Sequence, residues 1–240
     1  MTPARHCGQN PGLSGPARPR WLLERPYAHR GLHGRGVPEN SLAAFRAAIA
    51  DGYGIECDVR LSRDGVAHVF HDRGLARLTG AEGRIDDLDA AVLARLRLTG
   101  GDEPPPTLAA LLALCAETPL LVEVKADRDA FASARLCEAV ANDLAGHEGP
   151  VAVISFDPRV LHWFAAHAPH IPRGQTLPRR HRCRAKALAI ARARPHFLTC
   201  DVRDLPGTIP PRLPLICWTV RTTRQRVLAA RHGAQIIFEA

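Results

Sequence analysis

Residues 54–72 read GIECDVRLSRDGVAHVFHD, and the fold turns on how this stretch is parsed. Gly54–Val59 is a short apolar run interrupted by Glu56 and Asp58, which lie two positions apart and so face the same side of a strand. The strand continues to Leu61, Asp64-Gly65 supplies a turn, and Val66–Phe70 is extended again. A parallel crossover needs about a dozen residues or more, so a link this short makes an antiparallel hairpin. Centring the turn on Asp64-Gly65 sets His71 opposite Asp58.

Outward from this stretch, similar apolar runs recur at Tyr27–Gly31, Leu120–Lys125, Val151–Phe156, Pro172–Leu177, Phe197–Val202, Leu215–Val220 and Ala234–Glu239. Ala-rich stretches with helical spacing follow most of them. The first opens at Asn40 or Ser41, either of which can cap it, with Leu42, Phe45 and Ile49 on one face and Gly52 as its stop. Further helices are expected over Leu108–Glu117 behind Thr107, over about Arg128–Leu144, and over about Thr222–His232 before Gly233. Counting Gly54–Val59, eight βα-type runs predict an α/β chain folded as a (β/α)8 TIM barrel. The hairpin then belongs to a small insertion after strand two, about residues 60–105, and the chain divides into a flexible leader, 1–25, and one barrel domain, 26–240.

Composition agrees. With 240 residues, 46% hydrophobic and 23% charged, the chain is neither disordered, collagenous nor coiled coil, and is long enough for one large core. No apolar run approaches the ~18 residues of a membrane span. The Pro-, Gly- and Arg-rich Met1–Arg20 segment lacks the apolar stretch of a secretory signal, so a cytoplasmic protein without membrane insertion is expected. Seven cysteines without a C-x-x-C pair argue against a disulfide framework or structural zinc, and suggest reduced, mostly buried thiols. The net charge of +8 is almost all arginine and is scattered, Arg179–Arg184 being the densest run, so no nucleic-acid partner is expected.

The chemistry concentrates at predicted strand ends. Glu56 and Asp58, Glu123 and Lys125, and His29-Arg30-Gly31 would all meet at the C-terminal mouth of a barrel. Three carboxylates within about 5 Å repel by roughly 3 kcal/mol per pair at an effective dielectric near 20, so they must bind a cation or take up protons. Oxygen-only ligands suit a hard divalent cation, Mg2+ or Ca2+. Arg30 and Lys125 beside it suit a phosphate-bearing anion, and His29 and His71 offer groups that exchange protons near neutrality. Trp218 is either core packing or a wall of the pocket. The remaining histidines lack a ligand-spaced partner set and are expected at the surface or in packing, and Cys57 should face away from the Glu56–Asp58 side.

In order along the chain, His29-Arg30-Gly31, Pro38-Glu39-Asn40-Ser41, Glu56-Cys57-Asp58-Val59, Asp64-Gly65, His71-Asp72 and Glu123-Val124-Lys125 resemble the glycerophosphodiester phosphodiesterase family. The resemblance runs from about Tyr27 to Glu239, with Cys217-Trp218-Thr219-Val220 similar to the family's late Trp-bearing strand, and is weakest over Leu161–Arg194. The final Ile236–Ala240 lacks the proline-bearing tail of the family pattern. The resemblance implies a TIM barrel with an insertion after strand two. It also implies metal-dependent hydrolysis of a small glycerophosphodiester to glycerol 3-phosphate and an alcohol. It maps the metal ligands onto Glu56, Asp58 and Glu123, the acid and base onto His29 and His71, and the phosphate contacts onto Arg30 and Lys125. Two other readings stand beside it: a lysophospholipase D-like enzyme, and a barrel that binds phosphodiesters without turnover.

Overall fold

A computed structural model describes residues 19–179, 190–191, 193–205 and 213–240. Most of the predicted leader and most of the arginine-rich run, with Cys7, His181, Cys183 and Lys186, lie outside the described residues. Eight strands run parallel: β1 (Tyr27–His29), β2 (Gly54–Leu61), β4 (Leu120–Val124), β5 (Val151–Ser155), β6 (Arg173–Leu177), β7 (Phe197–Asp201), β8 (Leu215–Val220) and β9 (Gln235–Phe238). β3 (Ala67–Val69) pairs antiparallel on β2. The barrel closes because β1 pairs with both β2 and β9, Tyr27 facing Gly54 on one side and Ile237 on the other. The chain is thus the expected (β/α)8 barrel with a hairpin-bearing insertion after its second strand, and β9 completes the ring.

Period-two alternation assigns each strand residue to one of two layers. Ile55, Cys57 and Val59 on β2, and Leu120, Val122 and Val124 on β4, pack outward with Phe45, Leu111 and Leu136 of the helices. The opposite face holds Tyr27, Leu121, Ile154, Phe197, Ile216 and Ile237, which fill the lumen together with Leu22 from a 3-10 turn at Arg20–Leu23. The Tyr27 hydroxyl donates to the Leu22 carbonyl (3.1 Å), plugging the N-terminal end. Room for these rings comes from glycine: a Cβ on Gly174 would lie 2.4 Å from the Phe197 ring.

The helices start where their caps are. α1 (Leu42–Ala50) is capped by Ser41, whose side chain accepts from the Ala44 N–H, and not by Asn40. Two single turns follow in the insertion, α2 (Ala76–Thr79) and α3 (Ala90–Leu93). α4 (Leu108–Leu114) is capped by Thr107, α5 (Ala130–Leu144) by Asp129 and α6 (Pro158–His167) by Asp157. α7 (Thr223–Arg231) opens with a capping box between Thr222 and Gln225. Each such cap satisfies an otherwise orphaned N–H. Among the described residues no helix is long and apolar enough to cross a membrane, and the five described cysteines are buried.

Two irregularities shape the mouth. The β2–β3 hairpin loop is one residue longer than its sequence suggests: Ser62 pairs with Val66 around a three-residue loop, with Gly65 at φ +92°. Arg60 therefore faces His68. The Phe70 N–H donates to the Asp58 carbonyl (2.9 Å), so Phe70, not His71, lies opposite Asp58. His71 falls just beyond the ladder. The second irregularity is a bulge in β8 against β9 between Cys217 and Val220, which lets the consecutive Trp218 and Thr219 both line the central pocket. The insertion has its own small core of Phe70, Leu75, Leu78, Ile85, Leu93 and Leu98.

Candidate active site

All eight residues expected at the site line or adjoin one pocket at the C-terminal mouth. It is a cavity of about 310 Å³ bounded by His29, Arg30, Glu56, His71, Glu123, Lys125 and Trp218, among others. Asp58 lies beneath it, held by two of those residues: Arg30 Nε at 3.0 Å from Oδ2 and Lys125 Nζ at 2.7 Å from Oδ1. Lys125 also contacts Glu123 at 2.5 Å.

Arg30 reaches Asp58 because the chain turns sharply after β1. Arg30 and Gly31 have φ of +58° and +81°, and a Cβ on Gly31 would lie 2.7 Å from that of Ala44. Only glycine fits there, while Arg30 is held in a costly backbone region by its partners. Its N–H donates to Glu56 Oε2 (3.3 Å) and its guanidinium to Glu39 Oε1 (2.7 Å). Asn40, also at positive φ, donates from Nδ2 to Asp58 Oδ2 (3.0 Å). The Pro38–Ser41 motif therefore both starts a helix and braces the carboxylates.

Each histidine has its own carboxylate. His29 Nδ1 lies 2.6 Å from Glu239 Oε1, and its Nε2 faces Glu56 Oε2 at 3.9 Å. His71 Nδ1 lies 2.6 Å from Asp72 Oδ1. Asp72 is held in turn by Arg77 Nε (2.5 Å), and Arg77 grips Glu39 (2.8 Å). One network thus runs from the insertion through Glu39 and Arg30 to Asp58. Glu239 is clamped by both arms of Arg221 (2.8 and 2.9 Å).

The charges are mutually dependent. Burial first, then the neighbouring Asp58 charge, pushes Glu56 up to about 7, and burial likewise raises Glu123 despite Lys125. Burial would raise Asp58 too, but Lys125 and Arg30 override it and hold it below the usual carboxylate range. His29 loses basicity to burial and regains more from Glu239 and Glu56, ending above its ordinary value. His71 ends below, through burial reinforced by Lys125 and Arg30.

Glu56, Asp58 and Glu123 each offer an oxygen within 4.8 Å of the others. They are 2%, 1% and 8% exposed. Buried, oxygen-only and with two members pushed toward protonation by burial and then by the Asp58 charge, this donor set fits a hard divalent cation. His29, His33 and Glu239 also cluster within 4.8 Å, but there His29 and Glu239 already satisfy each other.

Sequence reading missed Glu239 and Arg221 as site residues, and it did not connect Glu39 and Arg77 to the centre. Arg77, the second residue of a one-turn helix, carries no local signal. Glu239 could have been found, since it directly follows the last strand and so reaches the mouth by the same rule that placed Glu56 and Glu123 there.

A closed parallel barrel whose C-terminal mouth gathers buried carboxylates, carboxylate-backed histidines and two cations is built to handle an oxygen-rich anion. Comparison with known proteins narrows this class. Residues 29–205 match the glycerophosphoryl diester phosphodiesterase family, and the chain belongs to that family. It is 40% identical over 100 residues to a Mycobacterium tuberculosis protein named probable glycerophosphodiester phosphodiesterase 2, covering 41% of this chain and 38% of that one. It is 37% identical over 107 residues to the glycerophosphodiester phosphodiesterase of Caldanaerobacter subterraneus subsp. tengcongensis, covering 41% and 43%. The chain thus matches less than half the length of either relative. Its fold is similar to that of an Oleispira antarctica phosphodiesterase solved in complex with the product sn-glycerol-3-phosphate. There the TM-score is 0.78 at 23% identity, over 91% of this chain and 94% of that one.

Proposed function

We propose that this protein is a divalent-cation-dependent hydrolase that cleaves glycerophosphodiesters to glycerol 3-phosphate and an alcohol. The observation that carries the reading is the convergence of Glu56, Asp58 and Glu123 within 4.8 Å, beside two histidines each backed by a carboxylate at 2.6 Å. Family membership supports it.

In this reading Glu56, Asp58 and Glu123 hold Mg2+ or Ca2+, which when bound supplies Lewis-acid stabilisation of charge on the phosphoryl oxygens. Arg30 and Lys125 are already positioned by Asp58, so they meet the phosphate without reorganisation as charge builds on it. Ionised Glu239 and Asp72 can only accept, so the Nδ1 atoms of His29 and His71 donate to them. That leaves each Nε2 to exchange a proton with the reacting centre. One histidine takes a proton from the attacking oxygen as its bond to phosphorus forms, and the other gives one to the alcohol oxygen as its bond to phosphorus breaks.

Phe156 meets Trp218 edge to face (5.7 Å) as the apolar wall. Arg203 and Arg221 share the same rim, which suits a small charged diester better than the acyl groove a lysolipid needs. The test is release of glycerol 3-phosphate from glycerophosphocholine by purified protein, abolished by EDTA and restored by Mg2+ or Ca2+. No product from any glycerophosphodiester under either metal would refute the reading.

A further inference from the structure

The mouth continues past the carboxylates. A cavity of about 480 Å³ bounded by Glu123, Lys125, Phe156 and Arg60 shares its first three residues with the central pocket. Beyond it, a cavity of about 230 Å³ between the insertion and α5 shares Arg60 and Lys125 with the second. The walls of this outer cavity include Arg73 and Arg135, opposed by Asp86 and Asp127. Both carboxylates are already engaged by Arg73, at 2.9 and 2.8 Å. Arg60 and Arg135 have no ion-pair partner among the described residues. The Arg60 guanidinium is aimed by a bond from Nε to the His71 carbonyl (2.6 Å), its one hydrogen bond among the described residues. A half-buried arginine, fixed in direction and lacking an anion, borders both cavities leading away from the cleavage site.

We infer that this basic cavity is a subsite for a second anionic group, a phosphate or carboxylate, carried on the alcohol half of the substrate. Arg60 is its inner anchor and Arg135 stands at its outer wall. The inference rests on the phosphodiesterase reading above and names the substrate class within it. A planar guanidinium held by one N–H keeps its paired Nη donors for an oxyanion, the geometry in which arginine outdoes lysine.

The test compares kcat/KM of the full chain for glycerophosphoinositol and glycerophosphoinositol 4-phosphate, which differ by one phosphate on the alcohol half, with Mg2+ present. The phosphorylated substrate should be favoured by roughly 10-fold or more, as expected for a charge-assisted contact, and the preference should shrink as salt is added. Arg60→Gln and the exposed Arg135→Gln should each lower the ratio toward one. Because Arg60 also holds the His71 carbonyl, the ratio and not the absolute rate is the readout. A ratio near one, or a preference unchanged in both variants, overturns the subsite while turnover of glycerophosphoinositol keeps the phosphodiesterase reading intact. Turnover of glycerophosphocholine with neither inositol substrate cleaved does the same. If inorganic phosphate alone alters the rate on glycerophosphoinositol without competing with it, the cavity holds a free anion and the substrate subsite is wrong. No turnover of any of the three removes both readings.

Discussion

Replacing Glu239 with Gln keeps its size and removes its charge, and so isolates what the carboxylate does for His29. The bond to His29 Nδ1 is short, 2.6 Å, and both side chains are largely shielded, 16% and 21% exposed. A charge-assisted hydrogen bond there contributes about 1–2 kcal/mol after solvent competition. The Arg221 arms are different, since that side chain is 57% exposed and such pairs contribute about 0–1 kcal/mol. Glu239→Gln should therefore lower stability by about 1–2 kcal/mol at pH 7, or Tm by about 2–8 °C for a chain of this size. Activity should fall further than stability accounts for, because a neutral Gln can offer His29 either its oxygen or its NH2 and no longer fixes the tautomer. A roughly 10- to 100-fold loss in kcat, with KM changing little, is expected. The stability difference has a definite pH dependence. The His29 bond foremost, with Arg221, holds Glu239 down to about 2, whereas an unfolded chain titrates glutamate near about 4.3. A depressed carboxyl contributes its full stability above the unfolded value and loses it as pH falls through the folded one. Wild type and variant should thus differ most between about pH 5 and 6, less as pH rises through the raised His29 value and its proton is lost, and converge as pH falls between about 4 and 2. Thermal melts across that range, with kinetics near neutrality, make the assay. A variant with kcat within twofold of wild type, or a Tm gap that persists at the acid end, would refute the reasoning.

Three further outcomes follow from the same geometry. His71→Ala should cut kcat by about 10²-fold or more with Tm nearly unchanged, because the side chain is 33% exposed; near-normal turnover would remove His71 from proton transfer. Gly174→Ala places a Cβ 2.4 Å from the Phe197 ring and should cost about 1–3 kcal/mol, seen as a lowered Tm that the second change Phe197→Leu partly restores. Saturating Mg2+ or Ca2+ should raise Tm, by about 2.7 kcal/mol of added stability at a hundred times Kd, and Asp58→Asn should abolish that increment. An equal increment in both proteins would place the cation elsewhere.

The parts legible in the sequence and those hidden from it divide along a physical line. Strand positions, the two-layer alternation and the grouping of Glu56, Asp58, Glu123, Lys125 and His29 all follow from period-two geometry plus the rule that a parallel barrel presents strand ends on one face. Once eight runs are counted, burial fixes which side chains meet, and the observed strands agree with the expected ones to within a residue or two. What stayed hidden depends on single-residue geometry. The hairpin loop is one residue longer than its Asp64-Gly65 signal suggests, because Gly65 closes a three-residue loop rather than forming the second half of a two-residue turn. That shift carries His71 off the ladder and toward Asp72. The bulge at Trp218 and Thr219 has no composition signal either, yet it turns two consecutive residues into one pocket wall. Longest in reach is the His29–Glu239 contact, between residues 210 apart. No local pattern joins them; ring closure does, because β1 pairs with β9 and brings the end of the last strand beside the end of the first. Closing the barrel therefore does more than bury its edges: it supplies the carboxylate that orients His29, so damage to the β9 pairing should cost activity before it costs the rest of the fold.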